Sequence, residues 1–360
     1  MNLAALAVCA AALSCGKASV PGSVVPGEKG EPDATVLFRI DDPEGTRATG
    51  VSPSDERRVN RWALYLFDKD SGTLSGAVEV EGSDAPIGKT VTPGTYIACA
   101  VVNYATEGTG AFAPASVSTR SALEGTVAYL SHNSVSSLVM YGSEEFTLSE
   151  GDNGTKGITV SRLVTRLVVK KVTVNMERPS DGGKTFVLKG IYVTNAYCRC
   201  RLGADYAPSE ISSTRSLWYN TMGYHTSGSC TSPGCPDDLL GTRTSINLTI
   251  ANGSSYDTVH SFYAYPNATQ SDQHGLSWNS SSGKRRTRII IEATLGGTTY
   301  YYQVNLPPTA RNNSYTIENA VITRPGSTSP EAESPPGSID VRFSSSTDSW
   351  EGPETVTESS

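Results

Sequence analysis

The chain has 360 residues, and its 36 acidic against 29 basic side chains give a formal net charge of -7. This acidic balance argues against nucleic-acid binding, which needs clustered Lys and Arg opposite the phosphates. The 34 Gly and 20 Pro, with only 18% charged residues, argue against coiled coils and long helical bundles, and the length suggests two domains.

The first 15 residues have the pattern of an export signal. Residues 3–13 are an apolar run shorter than the roughly 20 residues that span a bilayer. The run ends at Leu13-Ser14-Cys15-Gly16, which resembles a bacterial lipoprotein signal in which Cys15 becomes the acylated first residue. However, no Lys or Arg precedes the run, and Leu13 lies two rather than three residues before the cysteine. An ordinary secretory signal with an unmodified cysteine stays open as the alternative.

The first part of the chain after the signal predicts a tether followed by a strand. Residues 16–33 are rich in Gly, Pro and Ser, a composition that favours a flexible tether. Within residues 34–47, Val36, Phe38 and Ile40 form one apolar face of a first strand.

The rest of the N-terminal half is also predicted to be mostly strand. Residues 62–67 (WALYLF) form a strand that ends at turn-forming residues 68–72. Residues 95–102 are apolar throughout, as is typical of a strand buried on both faces. Only residues 116–130 have an apolar spacing that suits a short helix.

A long strand is predicted from Ile158 to Val174, and the turn-forming residues 178–183 (RPSDGG) interrupt the pattern. We place the domain boundary there, between residues 48–177 and residues 178–324. Gly296-Gly297, flanked by β-branched and aromatic runs, predicts a hairpin. Short strands with turn signals in both halves favour an all-β fold of two β-sandwiches.

Residues 325–360 differ in composition and are predicted to be a linker and a strand-bearing tail. A Pro-rich spacer precedes Ile339, Val341 and Phe343, which place three large apolar side chains on one face of a strand. A domain seldom places its own last strand after such a linker, and left in water this strand would be an aggregation hazard. The apolar face of this strand is similar in pattern to that of the first strand, so either strand could fill the same groove. A frayed terminus stays open as the alternative.

A polar loop with an arginine follows the first strand. Residues 41–50 (DDPEGTRATG) contain an Arg47–Ala48 bond. Exposed loops of this kind are easily cut by trypsin-like proteases. Arg57, Arg58 and Arg61 are competing sites, but Arg61 adjoins the strand that begins at residue 62, whose pairing should protect it.

The order and spacing of several segments after the signal, tether and first strand are informative. They are RATGV at 47–51, VNRWALYLF at 59–67, SRLVTRLVV at 161–169, YAYPN at 263–267, YQVNLP at 302–307 and RNNSY at 311–315. In their order and spacing, the chain resembles the fimbrillins, or type V pilins, of the Bacteroidota along essentially its whole length. The resemblance implies two transthyretin-like β-sandwiches and export as a lipoprotein. It also implies that an arginine-specific protease removes the first strand at the outer membrane, and that a strand from another subunit fills the open groove.

Transferred to this sequence, the resemblance makes Cys15 the lipid site and Arg47–Ala48 the cleaved bond. The removed strand is the one with Val36, Phe38 and Ile40, and the donor strand is the one with Ile339, Val341 and Phe343. Because tip subunits of the family lack a free donor strand, the tail indicates a shaft subunit of a surface fimbrium that supports cell adhesion. The expected partners are other copies of the chain, tip and anchor subunits, the protease, and the outer membrane through the lipid before processing.

Other chemistry finds little support in the sequence. Cys198, Cys200, Cys230 and Cys235 have C-x-C and C-x4-C spacings that suit zinc, but export favours disulfides, with three pairings open. Cys99 lies in an apolar strand and is predicted to be a core residue. The scattered His residues have no paired ligand spacing, and no G-x-S-x-G setting organises a hydrolase. We therefore expect no metal, no cofactor and no enzyme activity.

A second functional hypothesis is a monomeric surface lipoprotein that binds glycans. Tyr219 or Trp278 would then serve as stacking platforms. The Pro-rich spacer followed by an amphipathic strand favours the fimbrial hypothesis, since a glycan binder has no use for one. Trp350 has no predicted role.

Overall fold

A computed structural model of the chain describes residues 34–41, 56–108, 110–211, 218–219, 236–241, 245–272, 285–330 and 332–346. Several predicted features lie outside these residues, namely the signal with Cys15, the tether, Arg47, Ala48, Cys230, Cys235, Trp278 and Trp350. In the described part of the chain, no helix is long and apolar enough to cross a membrane.

Nearly all regular structure is strand. The strands of the N-terminal half are β1 (Ala34–Asp41), β2 (Trp62–Asp68), β3 (Glu79–Glu81), β4 (Ile87–Val91), β5 (Gly94–Val102), β6 (Val127–Tyr129), β7 (Met140–Leu148), β8 (Thr155–Thr159) and β9 (Ser161–Arg162). The strands that follow are β10 (Thr165–Val169), β11 (Val172–Val174), β12 (Phe186–Thr194), β13 (Ala196–Tyr197), β14 (Arg199–Arg201), β15 (Trp218–Tyr219), β16 (Leu248–Ile250), β17 (Ser255–Tyr256), β18 (His260–Ala264), β19 (Arg288–Leu295), β20 (Thr298–Asn305), β21 (Ser314–Ile322) and β22 (Ile339–Ser346). The prediction of an all-β fold is confirmed.

The described helices are short. They occupy Arg120–Glu124, Pro179–Gly182, Pro208–Ile211 and Asp237–Leu240, with 3-10 turns at Pro114–Ser116 and Leu130–His132. The helix at 120–124 lies inside the segment predicted to contain one. Its first turn is capped by the Thr119 hydroxyl, which accepts a hydrogen bond from the Ala122 backbone N–H.

Two sheets enclose the N-terminal core. One has the strand order β4-β1-β8 and the other β3-β2-β5-β7-β9. Ala98, Ala100 and Val102 of β5 belong to this core, whereas Cys99 and Val101 belong to a larger core that continues into the C-terminal half. The predicted burial of this strand on both faces is therefore confirmed, as is the core position of Cys99.

The C-terminal half contains two larger sheets and the two-stranded sheet β13-β15, and β14 pairs with β6 of the first half. One of the larger sheets has the order β17-β11-β21-β10-β18, with β22 also paired to β21, and the other has the order β16-β12-β19-β20. The predicted hairpin joins β19 to β20, and both of its turn glycines have positive φ angles, 58° for Gly296 and 87° for Gly297. These angles suit the two-residue turn that the sequence predicts.

The chain changes sheet earlier than the sequence predicts. Arg162 in β9 still pairs with β7 of the first half, whereas Thr165 in β10 already pairs with β18 of the second. The single strand predicted from Ile158 to Val174 is thus several short strands, and the domain boundary near 178 stays a prediction. The apolar pattern gave no sign of the break because Leu163 and Val164, which lie between the two sheets, are themselves fully buried.

Gly142 on β7 lies so close to β8 that no larger residue fits. A Cβ atom at this position would lie 1.9 Å from the Thr159 backbone oxygen. We expect Gly142→Ala to lower the free energy of unfolding by about 1–3 kcal/mol, because the two strands must separate. Denaturant unfolding of the purified chain measures this loss. Gly154→Ala is the matched control, since nothing lies within 4 Å of its Cβ position. Equal losses in the two variants would contradict the crowding argument.

Candidate functional site

Strand β1 is the middle strand of its sheet. It pairs antiparallel with β4, from Ala34 opposite Val91 to Phe38 opposite Ile87, and parallel with β8 along its other edge. Two more backbone bonds lengthen the second ladder, from Thr35 N to Asp152 O (2.9 Å) and from Leu37 N to Gly154 O (3.1 Å). In the described sheet, β4 and β8 are therefore joined only through β1.

The first three side chains of the inner face of β1 are completely buried. Ala34, Val36 and Phe38 are each 0% exposed and belong to the N-terminal core, whereas Leu37 on the outer face is 45% exposed. The Phe38 ring makes an edge contact with Phe146, with the centroids 6.0 Å apart.

The predicted apolar face is present, and it begins at Ala34 rather than at Val36. Val36 and Phe38 are core residues, and Ile40 is partly buried against the same core. Ala34 extends the face by one position beyond the predicted residues. The period-two spacing could have included it, because Ala34 has the same parity as Val36.

The segment that contains Arg47 begins and ends beside one short stretch of chain. Asp41, the last residue of β1, accepts a hydrogen bond from Val160 N at 3.2 Å through its backbone oxygen. Glu56 accepts one from Arg162 Nε at 3.0 Å in the same way. A break anywhere between Asp41 and Glu56 would therefore separate β1 from the body covalently while both flanking residues stay bonded to residues 160–162.

The C-terminal tail forms a strand on its own domain. β22 pairs antiparallel with β21, from Ser314 opposite Ser346 to Ile322 opposite Ile339, with one irregularity between Ile317 and Asn319. The predicted donor residues are partly buried and pack against the larger core. They are Ile339, Val341 and Phe343. The apolar face predicted for the tail is therefore occupied within its own subunit.

The predicted Pro-rich linker is packed rather than free. Ser327 exchanges both backbone hydrogen bonds with Tyr301 of β20, at 2.8 and 3.0 Å. The Gln303 side chain donates to the Pro330 carbonyl at 2.9 Å, and its backbone N–H donates to Ser334 Oγ at 2.9 Å. Composition missed this packing because proline lacks an N–H but keeps a carbonyl that can accept from a neighbour. The linker covers the edge of β20, and β22 then covers β21.

The described cysteines of the predicted disulfide set are buried in the core. Cys198 and Cys200 are 1% and 2% exposed, and burial raises the pKa of their thiols to about 11 and about 12. Such thiols carry little thiolate near neutral pH and react slowly. The disulfides among Cys198, Cys200, Cys230 and Cys235 stay a prediction. Among the described residues, no group of three or more His, Cys, Asp or Glu could hold a metal ion.

Solved structures share this architecture over nearly the whole chain. Two of them, each described as a putative cell adhesion protein, come from Bacteroides eggerthii DSM 20697 and Parabacteroides distasonis ATCC 8503. The first has a TM-score of 0.58 at 18% identity and covers 90% of this chain and 97% of its own. The second has a TM-score of 0.56 at 15% identity and covers 87% of this chain and 97% of its own.

A fimbrilin from Porphyromonas gingivalis W83 has a TM-score of 0.54 at 16% identity, over 91% of this chain and 99% of its own. The chain therefore has the fimbrilin fold. No family model matches the sequence, and no curated protein matches it. At these low identities the likeness concerns the fold alone, and the fold expected from the resemblance is confirmed.

The buried face of β1 makes a direct prediction for stability. Phe38→Ala should lower the free energy of unfolding by about 3–5 kcal/mol, because it leaves a cavity in the core of the first sandwich. Leu37→Ala, on the opposite face of the same strand, should cost less than about 1 kcal/mol. Denaturant unfolding of both purified variants tests this difference. A small loss in Phe38→Ala would mean that β1 is not an integral part of the core.

Proposed function

We propose that the chain is a structural subunit of a fimbrial shaft, joined to other copies of itself by strand exchange and supporting cell adhesion. One observation carries the proposal: β1 is a middle strand whose Ala34, Val36 and Phe38 are fully buried, and the segment that follows it contains an Arg-Ala bond. The fimbrilin fold supports the same role. The subunit acts by assembly, not by catalysis.

In this proposal the chain reaches the outer membrane as a lipoprotein acylated at Cys15. An arginine-specific protease then cuts between Arg47 and Ala48, and the subunit passes into a fimbrium with tip and anchor subunits at the cell surface. The short apolar run before Cys15 supports export. The shared anchoring of Asp41 and Glu56 at residues 160–162 supports the cleavage position.

Removal of β1 would leave a groove in the sheet that favours binding of a replacement strand. β4 and β8 lose their common partner, and the apolar positions of β1 open to water. Loss of each large apolar side chain removes about 1.5–3 kcal/mol of stabilisation from burial. Loss of each ladder hydrogen bond removes about 1 kcal/mol more. An extended segment with matching alternation regains both terms, because β-addition combines backbone bonds with side-chain pockets.

The tail of another copy matches these positions in one register. Laid along β1 in the same direction, β22 places Val341 at the Val36 position and Phe343 at the Phe38 position. A shift of two residues would place Val341 at the Phe38 position and leave that pocket underfilled, which is unfavourable. We propose the register with identical side chains in these two pockets, in which Ile339 takes the position of the smaller Ala34.

The exchange also improves burial of the donor residues. Val341 and Phe343 are only partly buried on their own domain, whereas the positions of Val36 and Phe38 are 0% exposed. Leaving β21 breaks one ladder, and entering the groove forms two. Because each copy receives one strand and donates another, the contact is head-to-tail and produces a filament.

Replacement of Arg47 tests the processing step. Arg47→Ala should leave the protein monomeric with its leader attached, because β1 stays in the groove. Size-exclusion chromatography and N-terminal sequencing of surface material measure both properties. Arg58→Ala is the control and should assemble normally, with Ala48 as the first residue. Normal fibres from Arg47→Ala would refute the assignment of this site.

Replacement of Phe343 tests the donor role. Phe343→Ala should lower the yield of polymer at least tenfold, because the pocket at the Phe38 position stays partly empty. Arg342→Ala, at an exposed position of the same strand, should polymerise like the unmodified protein. Electron microscopy and denaturing gels of protease-treated protein measure the yield, and thermal unfolding verifies that each variant is folded. Unimpaired polymer from Phe343→Ala would exclude β22 as the donor in this register.

A further inference from the structure

Four arginines lie close together around the proposed processing site, at positions 47, 57, 58 and 61. Side-chain exposure does not explain why only the first would be cut, since Arg58 is exposed and Arg57 and Arg61 are partly exposed. A protease must also draw the backbone on both sides of the bond into its cleft. Segments held by hydrogen bonds resist this until they open locally. The question is what holds the backbone of residues 56–61.

One buried asparagine holds the second part of this segment. Asn103 is 3% exposed and has a left-handed backbone, with φ at 55°. Its side chain accepts from Asn60 N at 2.8 Å and donates to the Arg58 oxygen at 2.7 Å. Its backbone N–H donates to the Arg61 oxygen at 2.9 Å. Asn103 therefore makes hydrogen bonds to three backbone groups within residues 58–61.

One buried carboxylate holds the start of the segment. Glu56 is 8% exposed, its carboxylate accepts a hydrogen bond from the Tyr263 hydroxyl, and Arg166 Nε lies 3.5 Å from it. Its backbone oxygen accepts from Arg162 Nε at 3.0 Å. Both of these hydrogen-bond donors to Glu56 are buried, since Tyr263 and Arg162 are each 2% exposed. Removing one partner of such a group is strongly destabilising locally.

We infer that Glu56 and Asn103 form a clamp that sets the C-terminal limit of cleavage by an arginine-specific protease. The clamp holds residues 56–61 against the junction of the two halves, so that Arg57, Arg58 and Arg61 are not cut and the new N-terminus falls before the clamp. The inference rests on the proposed processing at Arg47, but it concerns the bonds that stay intact.

Limited digestion of the purified full chain with an arginine-specific protease tests the clamp, with product N-termini read by mass spectrometry. The unmodified chain should give Ala48 and no product that begins at residues 58, 59 or 62. Glu56→Ala should give such products at least ten times faster, because proteolysis follows the population of the open segment. Asn103→Gly should do the same, and it keeps the left-handed backbone because glycine accepts positive φ.

Two controls make the test specific. Glu124→Ala removes a carboxylate that is paired with Arg120 at 2.8 Å and should leave the cleavage pattern unchanged. Adding Arg57→Lys, Arg58→Lys and Arg61→Lys to Glu56→Ala should restore the single product that begins at Ala48.

The outcomes separate the clamp from the proposed function. Cleavage of the unmodified chain after Arg57, Arg58 or Arg61 would overturn the clamp, and so would resistance at these sites in either variant that retains its thermal unfolding transition. If Glu56→Ala does not fold, Asn103→Gly decides alone. Absence of cleavage at Arg47 in every protein would count against the proposed processing, while the products from residues 57–61 would still decide the clamp.

Discussion

The structure depends on one strand that sits in the middle of a small sheet. β1 supplies backbone partners to β4 and β8 at once and contributes the fully buried Ala34, Val36 and Phe38 to the N-terminal core. Without it, two strands lose their ladders and the core opens to solvent. The first sandwich is therefore complete only when some strand occupies this place.

The two ends of the folded part are alike in pattern but unlike in position. Both β1 and β22 alternate apolar and polar side chains, yet in the described part of the chain β1 lies between two strands whereas β22 pairs with β21 alone. A strand with one ladder can leave its sheet at a lower cost than a strand with two. In the proposed strand exchange, this asymmetry favours transfer from the edge of one copy into the middle of the next.

A short stretch of chain around residues 160–165 connects these features. It passes from the first half to the second, and it donates hydrogen bonds to Asp41 and Glu56, on either side of the proposed processing segment. At this junction the Glu56 carboxylate accepts a hydrogen bond from the Tyr263 hydroxyl of β18 and lies 3.5 Å from Arg166 Nε of β10. The ends of the proposed processing segment and the place where the two halves meet are thus held by the same residues.

The sequence by itself determined what depends on neighbouring residues. The all-β class, the inner face of β1, the two-sided burial of β5 and the Gly296-Gly297 turn all follow from period-two patterns or local backbone preference. The apolar face of the tail also came from its pattern.

Only the tertiary structure decided which segments meet. The change of sheet after Arg162, the packing of the Pro-rich segment on β20 and the contact between Glu56 and Tyr263, 207 residues apart, leave no local period. A periodic pattern records which face of a strand is buried but not against which partner. The partner is set by long-range packing and hydrogen bonding, which no short window of sequence contains.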